Sequence, residues 1–305
     1  VSSRHLVAHA ADADLVLPPP LVGHCEGFRR WTIVGEANGA VHTGFAISEF
    51  EPGGSVDAHV HAYEETFFVL DGELILRTTE GSFLLRAGDY ALVPLAQVHA
   101  LRNRGPAAAR IAAMSAPQPR SRFGGDTFFV APLPGDGGEP EPVDVRDPRC
   151  RSFGHIDAEN MDPANQTQDR LQVSASMRTA LLVYSGITVK MMSDPDLGAQ
   201  LSTMFMVQYE RAGVAGPHDH PFEETYLIID GEVDATFDGD WYRLGPGDAA
   251  WAGVGCVHSF SNPEDVPVRW LETQAPQPPA RHSYRFARDW DHLRAAIGPA
   301  DEREG

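Results

Sequence analysis

Lysine is almost missing from this sequence. Lys190 is the only one in 305 residues, and every other cationic side chain is arginine. Lysine and arginine together number 24 against 43 acidic residues, for a formal net charge of −19. Phosphate backbones and anionic bilayers are bound by clustered cations. This balance therefore argues against nucleic acid and membrane as partners and is read as solubility. Cysteine is scarce as well. Cys25, Cys150 and Cys256 are odd in number and widely spaced, which excludes a CxxC motif and argues against a disulfide framework. A reducing, cytoplasmic setting is the expectation. No apolar run approaches the roughly 18 residues of a membrane helix. No basic stretch followed by an apolar one opens the chain.

What is present is ordinary for a globular protein: 42% hydrophobic and 22% charged residues, over a length that allows two domains. Residues 1–30, with the triple proline Pro18 to Pro20, read as an N-terminal arm that packs on a domain. Residues 31–119 form a first domain of short strands bounded by turn residues. Within it, Asp71-Gly72 joins two apolar runs and predicts a tight type I′ hairpin. Residues 120–180, rich in Gly and Pro and then polar, are read as an interdomain connection. A strand at Thr127 to Ala131 and a short helix near Ile156 are expected there. Residues 181–279 form a second domain. Residues 280–305 hold a short helix, Arg288 to Gly298, with Asp289 as N-cap, and a tail.

The two domains are copies. At a constant offset of about 159 residues, Gly54 meets Gly213, His59 meets His218, His61 meets His220 and Glu65 meets Glu224. Gly72, Gly88, Asp89, His99 and Asn103 meet Gly231, Gly247, Asp248, His258 and Asn262, and APQP at Ala116 recurs at Ala275. About 16 of 50 positions between Gly54 and Asn103 are identical to their counterparts.

Inside each copy lies His-x-His-x3-Glu, followed by a lone histidine. Residues two apart on a strand share a face, so His59 and His61 point together and Val60 points away. Glu65, an even number further on, can join them. His99 arrives from another hairpin. Three imidazoles and one carboxylate suit a divalent first-row metal. The candidate ligands are His59, His61, Glu65 and His99 in the first copy. In the second they are His218, His220, Glu224 and His258. Because histidine binds metal only when neutral, binding should weaken as pH falls through the imidazole range. Glu64 and Glu223 should face away, into solvent. Asn103 and Asn262 are read as loop-fixing hydrogen bonders. Tyr63, Gln97, Phe222, Trp251 and Cys256 lie near the ligands and are candidates to line a pocket.

This pattern resembles the cupin superfamily, whose motifs are G-x5-H-x-H-x3,4-E-x6-G and G-x5-P-x-G-x2-H-x3-N. Gly53, His59, His61, Glu65 and Gly72 fit the first motif. Gly88, Pro94, His99 and Asn103 fit the second, with Ala96 in place of its glycine. In the second copy Ala212 replaces the leading glycine and Gly253 the proline. The resemblance implies an all-β bicupin: two tandem double-stranded β-helix, or jelly-roll, barrels with minor short helices. It implies up to two divalent transition metals per chain, drawn from Fe, Mn, Ni, Cu, Co and Zn. It also allows a homodimer formed by pairing sheet edges.

Fold does not choose the reaction. The leading expectation is a dioxygenase acting on a small aromatic, enol or diketone substrate. ETFFVLDGE and ETYLIIDGE are similar to quercetinase-like enzymes, and Phe67, Phe68, Tyr226 and Trp251 could support an apolar molecule. The alternative is redox-neutral chemistry on a small acid: decarboxylation, aminohydrolysis or isomerisation. Oxalate decarboxylases keep both metal sites, but their motif tryptophans are replaced here by Val60 and Thr66. The stretch from Asp238 to Trp251 resembles ureidoglycine aminohydrolases. A non-catalytic metal or small-ligand binding protein is the third reading. In either enzyme Glu65 or Glu224 could leave the metal and act as catalytic base.

Overall fold

The computed structural model describes residues 3–134, 138–144, 153–163, 184–195, 198–277 and 285–286. Short β-branched and aromatic runs, cut by Gly, Pro, Asp and Asn, fold as strands. In chain order these are β1 (His5–Ala8), β2 (Cys25–Val34), β3 (Gly44–His61), β4 (Glu64–Asp71), β5 (Glu73–Thr78), β6 (Gly81–Arg86) and β7 (Asp89–Val93). There follow β8 (His99–Arg102), β9 (Ala109–Ala116), β10 (Thr127–Phe129), β11 (Glu141–Pro142) and β12 (Phe153–His155). One helical turn, α1 (Ala158–Met161), precedes β13 (Tyr184–Ser193), β14 (Thr203–Asp219), β15 (Glu223–Asp230), β16 (Val233–Phe237) and β17 (Asp240–Leu244). The last are β18 (Ala249–Ala252), β19 (His258–Ser261), β20 (Val268–Ala275) and β21 (Arg285–Phe286). No helix among the described residues is long and apolar enough to cross a membrane.

Two curled sheets result. The first runs β11-β6-β5-β8-β3-β9-β4-β7-β12, with β2 and β10 also on β3. The second runs β1-β18-β15-β20-β14-β19-β16-β17, with β13 and β21 on β14. The long strand β3 closes the first barrel by pairing twice. Its first half lies on β9, from Gly44–Ser115 to Phe50–Ala109, and its second half on β8, ending at His59–His99. In the second barrel β14 does the same with β20 and β19. Alternation sorts the side chains. Phe50, Phe67, Val69, Leu74 and Ile111 fill the first interior; Tyr209, Tyr226, Ile228, Phe260 and Trp270 fill the second. The opposite faces of the same strands meet between the barrels. There Phe45, Ile47, Phe68 and Met114 pack with Met204, Leu227, Trp251 and Leu271.

The halves exchange strands. The N-terminal β1 pairs with β18 of the second barrel, and β12, between the halves, pairs with β7 of the first. Matching ion pairs accompany them: His9 with Asp248 at 3.3 Å, and His155 with Asp89 at 2.8 Å. The connection carries the expected strand, as β10, and the expected short helix, as α1. The tail helix expected at Arg288 to Gly298 lies outside the described residues.

Two expectations are corrected. Asp71-Gly72 is not a hairpin turn. β4 pairs with β7 and β9, and β5 with β6 and β8, so the dipeptide carries the chain from one layer to another. Gly72 has φ 74°, and a Cβ there would stand 2.6 Å from the Ala108 carbonyl oxygen, so close approach explains the glycine. The motif departures keep the same backbone: Ala96 and Ala212 adopt φ 60° and 58°, where their counterparts Gly255 and Gly53 have 73° and 83°.

Glu64 and Glu223 do face away from the candidate ligands, but not into solvent. They are 1% and 2% exposed. Glu64 accepts hydrogen bonds from the backbone of Gln200 (2.7 Å), Leu201 (3.3 Å) and Ser202 (3.0 Å), and from the Ser202 hydroxyl. Glu223 accepts from Val41 (2.8 Å), His42 (3.0 Å) and Thr43 (3.0 Å), and from the Thr43 hydroxyl. Each barrel thus inserts a carboxylate into the loop that opens the long strand of the other. Glu64→Ala strands three N–H groups away from water and is expected to cost roughly 3 kcal/mol. Urea unfolding of Glu64→Ala and Glu223→Ala measures this. A loss under about 1 kcal/mol in both would contradict the clamp.

Candidate metal centres

His59 and His61 end β3, Glu65 begins β4, and His99 opens β8. His59 and His61 lie in the half of β3 that pairs with β8 and β10, with His59 opposite His99, while Glu65 comes from β4 on β9; closure of the barrel brings them to one point. All eight candidate ligands are buried. In the first barrel the ring nitrogens of His59, His61 and His99 lie within 4.8 Å of one another. Glu65 Oε2 is 3.5 Å from His61 Nε2 and 3.6 Å from His99 Nε2. In the second, His220, Glu224 and His258 converge within 4.8 Å, with Glu224 Oε2 2.7 Å from His220 Nε2 and 3.4 Å from His258 Nε2. The His218 ring centroid lies 4.3 Å from that of His258.

The tautomers follow from the partners. A carbonyl can only accept, so Nδ1 carries the hydrogen in His59 (to Asp57 O, 2.6 Å), His99 (to Gln97 O, 3.0 Å) and His218 (to Gly216 O, 2.8 Å). The same holds for His220 (to Phe222 O, 2.8 Å) and His258 (to Cys256 O, 3.0 Å). His61 Nδ1 donates to Thr127 Oγ1 at 3.1 Å, because that hydroxyl donates onward to Gly125 O. Every Nε2 is thereby left as a lone pair turned inward. The Nε2 of His99 is buried with no hydrogen-bond partner. Oriented neutral imidazoles beside one carboxylate fit a divalent transition metal, and the backbone carbonyls are the outer partners such ligands use.

Burial, aided by the charges of His99 and His61, holds His59 down to about 3. Burial likewise lowers His61, and drives His218 well below the usual imidazole range. Burial alone would raise Glu65 and Glu224. The neighbouring imidazoles outweigh it and keep both well below the usual carboxylate range.

The two interiors differ beyond the ligands. Tyr226 stands where the first barrel has Phe67. Its hydroxyl donates to Glu224 Oε2 and lies 3.0 Å from His258 Nε2. Gln274 Nε2 donates to Glu224 Oε1, and Glu272, held by Trp270 Nε1 at 2.9 Å, shares the same interior face of β20. Burial and the nearby Glu224 carboxylate push Glu272 well above the usual range. In β9 the matching positions are Ile111, Ala113 and Ser115. Sequence reasoning passed over Glu272 and Gln274. Their signal was Trp270-x-Glu272-x-Gln274, polar residues at the period of a buried strand face. Of the suggested pocket residues, Tyr63 reaches His61 Nε2 at 3.3 Å, and Phe222 stacks on His220 at 3.9 Å. Trp251 does not approach the ligands; it lies between the barrels with Phe68.

These histidines make stability pH-dependent. In metal-stripped protein the folded chain keeps His59 neutral to about pH 3, whereas an unperturbed imidazole protonates near 6.5. Between those values the unfolded state binds the extra proton, so stability must fall on acidification. The fall is up to ~1.4 kcal/mol per pH unit for each such group. Denaturant midpoints at pH 7.5 and 5 with chelator present are expected to show it; equal midpoints would contradict it.

The cupin-domain family matches residues 46–115 and 205–273. No curated protein sequence matches the chain. Among solved structures, the formate complex of Lactobacillus farciminis oxalate decarboxylase is 15% identical, with TM-score 0.61, over 98% of this chain and 91% of that one. Bacillus subtilis oxalate decarboxylase at pH 4.6 is 14% identical, with TM-score 0.61, over 99% and 84%. A putative glyoxylate-induced protein from Pseudomonas aeruginosa is 17% identical, with TM-score 0.61, over 93% and 92%. At these identities the likeness is one of fold. With two family matches, two curled sheets and a histidine cluster in each, the chain belongs to the cupin family, as a bicupin.

Proposed function

We propose that this bicupin is a metal-dependent enzyme of redox-neutral chemistry on a small carboxylic acid, with the second barrel as its reacting centre. The observation that carries this reading is the set Tyr226, Gln274 and Glu272 around Glu224, with Glu224, Tyr226 and Glu272 lining a cavity of about 30 Å³. That volume holds one or two water-sized groups. Of the four aromatics expected to support an apolar dioxygenase substrate only Tyr226 lines it, beside Phe205, Tyr209, Phe260 and Trp270, and the space they leave is too small for an aromatic substrate. Phe68 and Trp251 belong to the packing between barrels, and Phe67 to the other interior. Oxalate decarboxylases share the two-barrel architecture, which is compatible with a small acid but decides nothing about substrate at this identity.

His218, His220, Glu224 and His258 would hold the ion, which supplies Lewis-acid polarisation of a bound carboxylate. The protein's own groups handle the proton. Burial and the Glu224 carboxylate hold the Tyr226 phenol well above its ordinary value, so it stays protonated. It donates to Glu224 and can turn that hydrogen bond to charge developing on a molecule beside it. Gln274 fixes the other Glu224 oxygen and so orients the carboxylate as base. Glu65 would be the equivalent carboxylate in the first barrel, where the phenol of Tyr63 lies against His61 Nε2 at 3.3 Å and Ala113 and Ser115 stand in place of Glu272 and Gln274. The first quartet is accordingly assigned a structural metal.

Tyr226→Phe installs the residue the first barrel already uses, so folding should tolerate it. With manganese-loaded protein and a panel of small mono- and dicarboxylates, turnover without oxygen consumption is expected. Tyr226→Phe should lower kcat about 100-fold at unchanged metal content. Oxygen uptake stoichiometric with product would contradict the reading and favour a dioxygenase.

A further inference from the structure

Where β1 crosses onto the second sheet, three side chains from distant parts of the chain converge outside both quartets. A ring nitrogen of His5, a carboxylate oxygen of Asp238 and the thiol of Cys256 lie within 4.8 Å of one another. The His5 side chain is only 10% exposed. Its Nε2 is engaged by Tyr242 Oη at 3.0 Å, and its ring stacks on Phe237 at 5.7 Å. Its Nδ1 is buried and has no hydrogen-bond partner. In the tautomer that gives Nε2–H to Tyr242, Nδ1 presents a lone pair, and in either tautomer a buried ring nitrogen without a partner is costly. Asp238 is already positioned. Arg4 grips it through Nε (3.0 Å) and Nη2 (2.8 Å), and the Val257 N–H donates to it at 3.0 Å. Cys256 is fully buried.

We propose that His5, Asp238 and Cys256 form a third metal site, for zinc or a chemically similar divalent ion, that fastens the N-terminal strand to the second barrel. Nitrogen, oxygen and sulfur donors in one cluster suit zinc in four-coordination, with water in the fourth position. Binding exchanges the thiol proton for the metal: the S–H bond breaks, an S–metal bond forms, and one proton leaves to solvent without redox change. The thiolate and carboxylate then balance the 2+ charge. The Arg4 guanidinium stays on the carboxylate as its outer partner, as the carbonyls do for the quartet histidines. His5 is the sole ligand from β1, so the ion would tie that strand to the loops holding Asp238 and Cys256.

Sulfur separates this site from the quartets, which contain none. Cobalt(II) added to chelator-stripped full-length protein is expected to produce a thiolate-to-cobalt charge-transfer band equivalent to one site. Cys256→Ser should abolish it. Cys25→Ser, Cys150→Ser and the quartet double variant His59→Ala/His220→Ala should keep it. His5→Phe preserves the ring stacking and removes the nitrogen; it should raise the cobalt Kd at least tenfold. Zinc should slow amide exchange at Leu6 and Val7 at least tenfold in wild type and not in His5→Phe. No band in wild type, or a band that survives Cys256→Ser, would overturn the proposal whatever the quartets bind. So would a cobalt Kd or a zinc effect on exchange that is unchanged in His5→Phe.

Discussion

Placing three imidazoles and a carboxylate inside an apolar barrel is the constraint on which the rest of the structure depends. Polar groups taken out of water must find partners. Here each imidazole spends its Nδ1–H on a carbonyl or hydroxyl a few residues away or on a neighbouring strand, and turns Nε2 to the centre. A cation completes this arrangement by giving the inward lone pairs one shared partner. Much of the surrounding fold serves to hold the ligands still. The strand β10 covers His59 and His61, and its Thr127 fixes the His61 ring. Asn103 and Asn262 tie the ends of β8 and β19 to backbone carbonyls across the sheet.

The duplication makes each barrel depend on the other. Exchanged strands, reciprocal carboxylates and a shared apolar layer all obey the same internal symmetry. Inside the barrels the symmetry is broken. In the first, Phe67, Ala113 and Ser115 are apolar or small, and the phenol of Tyr63 lies against His61. Tyr226, Glu272 and Gln274 surround the second quartet with groups that carry protons. Duplicated scaffolds of this kind let one copy keep the architecture while the other acquires reactivity, which is the division of labour proposed here.

The ligand quartets were legible because metal chemistry demands specific residue types at strand spacing, and the second copy repeats them in register. The barrels were legible for the same reason, through turn glycines and short apolar runs. What stayed hidden depends on which strands meet. Asp71-Gly72 has the composition of a hairpin, but β4 and β5 go to different neighbours, and only long-range pairing decides that. Glu64 and Glu223 look like surface charges until the other barrel is placed against them. Phe68 and Trp251 seemed to belong to a pocket, but strand parity turns them to the interface. Glu272 and Gln274 lie outside both motifs, and their alternation with Trp270 tells of a buried strand face only once β20 is placed beside β15.

The central claim is that each barrel closes around one divalent transition metal. Anomalous scattering at the absorption edge of the metal copurified with unchelated protein tests it most directly. The account predicts one peak enclosed by His59, His61, Glu65 and His99, and a second enclosed by His218, His220, Glu224 and His258. Metal-replete protein with no anomalous density at either quartet would contradict it.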